Sequence, residues 1–191
     1  MSSSPPPTTL MTTEQMLALP ENGYDRDLIR GELREFPMTR RNRRHSRSMG
    51  RLAYFLEQWL EKQPEPRGEI VVGDAGFRLQ SDPDTTVGID LAYVSAELAA
   101  KTPANAFLFE GAPILAVEIL SPSDTQQDIT EKIDVYKDTG VLLIWIVEPI
   151  SQTITVHRPD AAPEFFNINK NLTAEPHLPG FFVPVAEIFR F

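Results

Sequence analysis

A short apolar run interrupted by a single carboxylate occurs twice in this chain of 191 residues. The first run is Gly88–Val94, which contains Asp90, and the second is Pro113–Leu120, which contains Glu118. Runs of this length predict central strands that are buried on both faces. An ionised carboxylate in such a strand is costly unless it is paired or binds a metal ion. The two acids therefore mark a candidate site.

If the two strands are neighbours, both carboxylates can project into one cleft at an end of the sheet. Two carboxylates with water molecules suit Mg²⁺ or Mn²⁺, which prefer oxygen ligands. Such an ion neutralises phosphate charge and lowers the pKa of a bound water. The alternative interpretation is that each acid ends its strand and accepts backbone hydrogen bonds.

The segment after Glu118 predicts a helix that carries a candidate catalytic lysine. Ser121–Asp124 offers a turn and an N-cap, and the helix is expected to run to about Thr139. One stripe at helical spacing contains Ile129, Lys132, Ile133 and Tyr136. Lys132 is the only charge in it, so it is predicted to point toward the sheet and stabilise a transition state. Alternatively, it pairs with Asp128 and extends outward.

The remaining pattern predicts a mixed sheet with helices packed on it, an α/β or α+β fold. A capping box begins a short helix at Thr12, and a long amphipathic helix is expected over about Ser46–Lys62. Further strands are predicted at Asp27–Phe36, with Gly31 as a bulge or turn, and at Glu69–Gln80, Leu142–Val147 and Thr153–His157. Residues 1–10 are expected to be disordered, and residues 11–191 to form one domain.

Composition excludes several classes of function. No apolar run approaches the ~20 residues of a membrane span, and the absence of cysteine excludes disulfides, thiol catalysis and zinc–thiolate sites. No secretion signal is visible, so we expect a cytoplasmic protein.

The net charge of −9 argues against a general nucleic-acid coat protein. However, Arg34–Arg51 contains seven arginines and one glutamate. This cluster either binds phosphates or forms a solvated basic loop before a helix. The candidate nucleic-acid-binding residues are Arg40, Arg41, Arg43, Arg44 and Arg47.

Taken together, these motifs resemble the Uma-type family of putative restriction endonucleases, part of the PD-(D/E)XK nuclease superfamily. The resemblance covers about residues 11–191. It is carried by Ile89-Asp90, Val117-Glu-Ile-Leu-Ser-Pro122, the spacing Asp128-x₃-Lys132-x₃-Tyr136-x₃-Gly140, Trp145–Val147 and Leu178–Phe181. The sequence departs from the family in one respect and from the wider superfamily in another. Ile89 stands where the family has proline, and Leu120 stands where the superfamily usually has its lysine, for which Lys132 looks like a displaced equivalent.

The resemblance implies a restriction-endonuclease-like core and a function. Asp90, Glu118 and Lys132 would be catalytic, and Mg²⁺ or Mn²⁺ would be held by Asp90, Glu118 and the Ile119 carbonyl. Glu32 would be an accessory ligand. His45 would contact substrate, unless it is only a helix-start or surface residue. The implied protein is a homodimeric endonuclease that hydrolyses DNA phosphodiester bonds.

Two other functions remain open. One is a catalytically silent module that binds nucleic acid or a partner, and the other is a metal-dependent hydrolase of a different phosphoester. An ion held by both acids favours the endonuclease. A direct salt bridge from Lys132 to Glu118, with no room for an ion, favours the silent module.

Overall fold

The computed structural model of the protein describes residues 10–38 and 40–190, and these residues form five helices and eleven strands. Of the predicted disordered stretch 1–10, only Leu10 lies among the described residues. The helices are α1 (Thr13–Leu17), α2 (Arg43–Leu60), α3 (Ala96–Lys101), α4 (Gln126–Asp138) and α5 (Val185–Ile188). The strands are β1 (Tyr24–Ile29), β2 (Glu32–Pro37), β3 (Glu69–Gln80), β4 (Thr85–Val94), β5 (Leu108–Glu110), β6 (Leu115–Ile119), β7 (Leu143–Glu148), β8 (Thr153–Arg158), β9 (Ala161–Asn167), β10 (Asn171–Thr173) and β11 (Phe182–Pro184).

Nine of these strands form one mixed sheet in the order β2-β1-β4-β6-β7-β8-β9, with β3 beside β4 and β5 beside β3. The pairs β6–β7 and β3–β5 are parallel, and the other pairs in this sheet are antiparallel. The small β10–β11 pair is separate. This mixed sheet with its helices confirms the predicted α+β fold class.

Strand β4 organises the site because two strands share one of its edges. Its first edge pairs with β3 along almost the whole strand. Its second edge pairs with β1 at Thr86 and with β6 at Leu91–Tyr93. Residues 87–90 of that edge pair with neither strand, so β1 and β6 diverge there and leave an opening.

A β-bulge lies opposite Asp90 on the first edge of β4. Val72 pairs with Leu91 and Ala75 pairs with Ile89, so two residues of β3 face the single residue Asp90. These two residues are Gly73 and Asp74, and both have positive φ values, 88° and 57°. Bulges of this kind redirect side chains beside functional sites. The ladder is therefore interrupted on both edges of β4 at Asp90.

Two cores pack against the two faces of the sheet. On one face, Leu52 and Leu56 of α2 join buried residues of β6 and β7 such as Val117 and Trp145. On the other face, Val135 and Tyr136 of α4 pack with residues such as Ala116 and Ile144. The Ile129–Tyr136 stripe therefore faces the sheet as predicted. Among the described helices, none has the length and apolar character that a membrane crossing requires.

The strand predicted over Asp27–Phe36 is the β1–β2 hairpin, so of the two roles predicted for Gly31 the turn is right and the bulge is wrong. Arg30 and Gly31 have φ values of 51° and 79°, and Ile29 pairs directly with Glu32. Two consecutive left-handed residues are typical of the tight type I′ turn, which matches the twist of the strands that it joins.

Helix α2 begins earlier than predicted, and helix α4 begins slightly later than predicted. Helix α2 begins at Arg43, where the Asn42 side chain caps it by accepting a hydrogen bond from the His45 amide. Arg43, Arg44 and Arg47 therefore lie on the helix and not in a loop before it. Helix α4 is capped by Thr125, one residue after the predicted turn, in a capping box with Asp128.

Candidate active site

A cleft of about 320 Å³ opens where β1 and β6 diverge along β4. Its walls come from the β1–β2 hairpin, β4, the end of β6 and helix α4. Asp27, Asp90, Glu118 and Lys132 all line this cleft, and Arg41 lies at the same site. The strands that carry Asp90 and Glu118 are neighbours, which confirms that part of the prediction. Continuing the register past Leu91 and Val117 sets these two acids opposite each other.

Asp90 is buried, and only one of its two carboxylate oxygens forms hydrogen bonds with the described residues. Its Oδ2 accepts a hydrogen bond of 2.8 Å from the Ile119 amide and lies 3.3 Å from His45 Nε2. Its Oδ1 is buried without a hydrogen-bond partner among the described residues, at 4.0 Å from Arg41 Nη2. Burial alone would raise the pKa of Asp90, but His45, the Ile119 amide and Arg41 outweigh burial and lower this pKa. Asp90 is therefore ionised at neutral pH.

Glu118 is held between two side chains of α4. Lys132 Nζ donates to its Oε2 at 3.2 Å, and the Tyr136 hydroxyl donates to its Oε1. Burial raises the pKa of Glu118 to about 7, although the charge of Lys132 lowers it and the charge of Asp90 raises it. Burial and the neighbouring Glu118 charge also raise the pKa of Tyr136, which therefore remains a hydrogen-bond donor.

Lys132 is shared by two acids of the cleft. Its ammonium lies 3.2 Å from Glu118 Oε2 and 3.6 Å from Asp27 Oδ2. Burial would lower the pKa of Lys132, but the charges of Glu118 and Asp27 outweigh burial and raise this pKa. Lys132 thus carries a fixed positive charge. The alternative of a pair with Asp128 is wrong, because the Asp128 carboxylate caps α4 through Thr125.

Asp27 is the residue of the cleft that sequence reasoning missed. Its Oδ1 accepts a hydrogen bond of 3.0 Å from the Gly88 amide, which lies on the open edge of β4. The signal was present, since Asp27 precedes the apolar pair Leu28-Ile29 just as the other two acids border apolar residues. It was weak because the strand around it is short and contains two other charges, Asp25 and Arg26.

The structure does not bring Glu32 to the cleft. Its carboxylate is half exposed and pairs with Arg34 at 3.1 Å. Asp27, from the same hairpin, occupies the position that was expected for an accessory acid.

The candidate arginines divide into three groups. Arg41 reaches into the cleft, where its Nη2 lies 2.9 Å from Asp74 Oδ2. Arg44 and Arg47 contact the carbonyl oxygens of Pro149 and Arg190. Arg40 and Arg43 are exposed, and neither pairs with any residue that the structure describes.

His45 is neither a surface residue nor a lining residue of the cleft. Only 1% of it is exposed, and it reaches the site through its contact with Asp90. The second interpretation of His45, as a helix-start or surface residue, is therefore right about the helix start and wrong about the surface.

We expect the Glu118 carboxyl of the metal-free protein to titrate near pH 7, as followed by carbon-13 NMR. Lys132→Met should raise this pKa further, because the ammonium stabilises the ionised carboxylate. Lys137→Met, on the same helix, is the control and should leave it unchanged. A parent pKa near the ordinary 4.5 contradicts this account.

The raised pKa of Glu118 also predicts how the stability of the fold depends on pH. A raised pKa means that the folded protein retains a proton that the unfolded chain releases. The contribution of Glu118 to the free energy of unfolding is therefore complete below about pH 4.5 and is lost as the pH rises to about 7.

Comparison with solved structures shows the fold. The chain is similar to a putative nuclease belonging to DUF820 from Anabaena variabilis ATCC 29413, with a TM-score of 0.78 and 21% sequence identity. The match covers 94% of this chain and 97% of that one. It identifies the mixed sheet with its flanking helices as the restriction-endonuclease-like fold. No curated protein matches the sequence.

Comparison with protein-family models confirms the resemblance that the motifs suggested. The Uma2 model, described as putative restriction endonuclease, matches residues 13–186. That range includes both strands of the cleft, the hairpin and helix α4. The chain therefore belongs to the Uma2 family of putative restriction endonucleases.

Proposed function

We propose that this protein is a Mg²⁺- or Mn²⁺-dependent endonuclease that hydrolyses DNA phosphodiester bonds as a homodimer. The observation that carries the proposal is the cleft itself, where three buried acids face one lysine. Membership of a putative restriction endonuclease family supports the nuclease chemistry. The homodimer follows by analogy with related enzymes that cut both strands.

The residues of the cleft fit a divalent ion. Asp90 Oδ1 is a buried carboxylate oxygen without a hydrogen-bond partner in the described part of the chain, and Asp90 lines the cleft together with Glu118 and Ile119. Asp90, Glu118 and the Ile119 carbonyl would hold the ion. No group of three or more His, Asp or Glu side chains is arranged around an ion position in residues 10–38 and 40–190. Mg²⁺ usually keeps several waters and takes few protein ligands, so the proposal requires only two carboxylates and one carbonyl.

Each residue has a separate task in this proposal. The ion, when bound, neutralises phosphate charge and lowers the pKa of a coordinated water. Lys132 cannot serve as a base, because its raised pKa keeps it protonated. It instead places a fixed positive charge beside the negative charge that develops on the phosphate oxygens. Asp27 and Glu118 hold the ammonium in place from two sides.

One observation favours the alternative of a catalytically silent module. Both oxygens of Glu118 already have partners, Lys132 and Tyr136. However, each carboxylate oxygen has two lone pairs and can accept a second ligand. A silent module also gives no reason to retain a buried Asp90 Oδ1 that accepts no hydrogen bond from the described residues, since a buried unsatisfied group costs about 1–3 kcal/mol. The endonuclease therefore accounts for more of the cleft.

The first test of this function is Lys132→Met. We expect normal folding and a ~10²-fold or greater loss of DNA cleavage, the scale that is typical for one preorganised electrostatic group. Methionine keeps most of the packing of the lysine stem. Manganese affinity should change little at a pH where Glu118 is ionised in both proteins, because an ammonium is not a ligand. Lys137→Met is the matched control, and cleavage by Lys132→Met at the parent rate would remove the catalytic role.

The second test concerns the route of DNA. Replacing both Arg40 and Arg43 with Ala should weaken DNA binding and reduce the slope of log affinity against log salt by about two, one unit for each lost phosphate contact. Both arginines are exposed, so the substitution leaves the cleft intact. The control, Arg67→Ala with Lys101→Ala, removes the same charge from elsewhere on the surface. Equal binding and equal slopes in the two double variants would exclude this route.

A further inference from the structure

Two contacts fix the position of His45, although this residue lies outside the cleft. It lies in the first turn of α2, where its amide donates to the capping Asn42 side chain at 3.0 Å. This cap fixes where the helix begins, and so fixes which residue of the helix meets β4. The His45 ring is buried, and its Nε2 lies 3.3 Å from Asp90 Oδ2.

Two donors thereby converge on the same oxygen of Asp90. The Ile119 amide approaches Oδ2 from β6 at 2.8 Å, and His45 approaches it from α2. A carboxylate held by two donors from different elements cannot rotate without breaking one of the bonds. Its other oxygen, Oδ1, is left without a hydrogen-bond partner among the described residues, in a side chain that lines the cleft.

We infer that His45 is a positioning residue that acts through Asp90. It holds Oδ2 so that Oδ1 is the oxygen presented to a divalent cation, an inference that rests on the proposed metal-dependent function. His45 contacts neither DNA nor the ion, because it is buried and does not line the cleft. Its contact with Asp90 requires the proton of a neutral imidazole to sit on Nε2.

This role requires a hydrogen-bond donor at position 45, and a side chain that only fills the space would not suffice. A carboxylate that binds a metal is itself usually hydrogen-bonded, and loss of such a partner typically lowers metal affinity 10- to 100-fold. Phenylalanine at position 45 would fill the space without donating a hydrogen bond. Glutamine would place an amide N–H near the position of Nε2.

The experiment compares manganese affinity of three variants of the full chain, measured at one pH by electron paramagnetic resonance of free Mn²⁺. We expect His45→Phe to weaken binding ~10- to 100-fold and His45→Gln to restore it to within a few-fold of the parent. Ser48→Ala is the control, because Ser48 lies one turn further along α2, is equally buried and has no hydrogen bond to Asp90. Its affinity should equal that of the parent.

The outcomes separate this inference from the function on which it rests. If the parent binds Mn²⁺ and folded His45→Phe binds it equally well, the positioning role is wrong while the metal site stands. If the parent does not bind Mn²⁺, the proposed metal-dependent function fails and the inference fails with it.

A measurement on the unmodified protein decides the matter if His45→Phe does not fold. In nitrogen-15 NMR, the Nε2 of His45 should carry the proton, and its resonance should shift on addition of Mg²⁺ with the same saturation as binding. An unprotonated Nε2, or a resonance that Mg²⁺ does not move, would overturn the positioning role.

Discussion

The imbalance of buried charge at the open edge of β4 is the constraint on which the site depends. Asp27, Asp90 and Glu118 are all buried there, and within residues 10–38 and 40–190 Lys132 is the one ammonium that contacts two of them. Arg41 adds a second positive charge, but it lies closer to Asp74, outside this group, than to Asp90. Carboxylates in a low-dielectric environment require compensation. The chain supplies only part of it.

Two responses to this imbalance are open to the protein. One is that Glu118 takes up a proton, because burial raises the pKa of its carboxyl to about 7. The other is a divalent cation, whose charge would let all three acids ionise together. The pKa values of the neighbours divide the roles, because the pKa of Asp90 is lowered while that of Lys132 is raised. Asp90 and Lys132 therefore both stay charged at neutral pH, and Glu118 is the group whose charge changes with pH.

The fold creates this site through the connections of one strand. The sequence predicted the strands of Asp90 and Glu118, and the structure confirms that they are neighbours. It also predicted that Lys132 faces the sheet, since the helical period alone sets that direction. These features are local, because each depends on the spacing of residues within a single element.

The features that the sequence did not reveal depend on contacts between distant residues. Asp27 is fixed by the amide of Gly88, 61 positions away, so no local pattern shows it. The burial of His45 depends on where α2 crosses β4, which the cap at Asn42 determines. Glu32 was expected as an accessory ligand on the ground of the family resemblance. The turn at Arg30-Gly31 instead carries Glu32 to the exposed outer strand.

The most direct test is a crystal structure of the protein grown with Mn²⁺ and examined for anomalous scattering. The account predicts one anomalous peak in the cleft, about 2.1 Å from Asp90 Oδ1 and from an oxygen of Glu118. Lys132 should stay beside Asp27. An intact Lys132–Glu118 pair with no anomalous peak in the cleft, at Mn²⁺ concentrations that bind elsewhere on the protein, would contradict the account and favour the silent module.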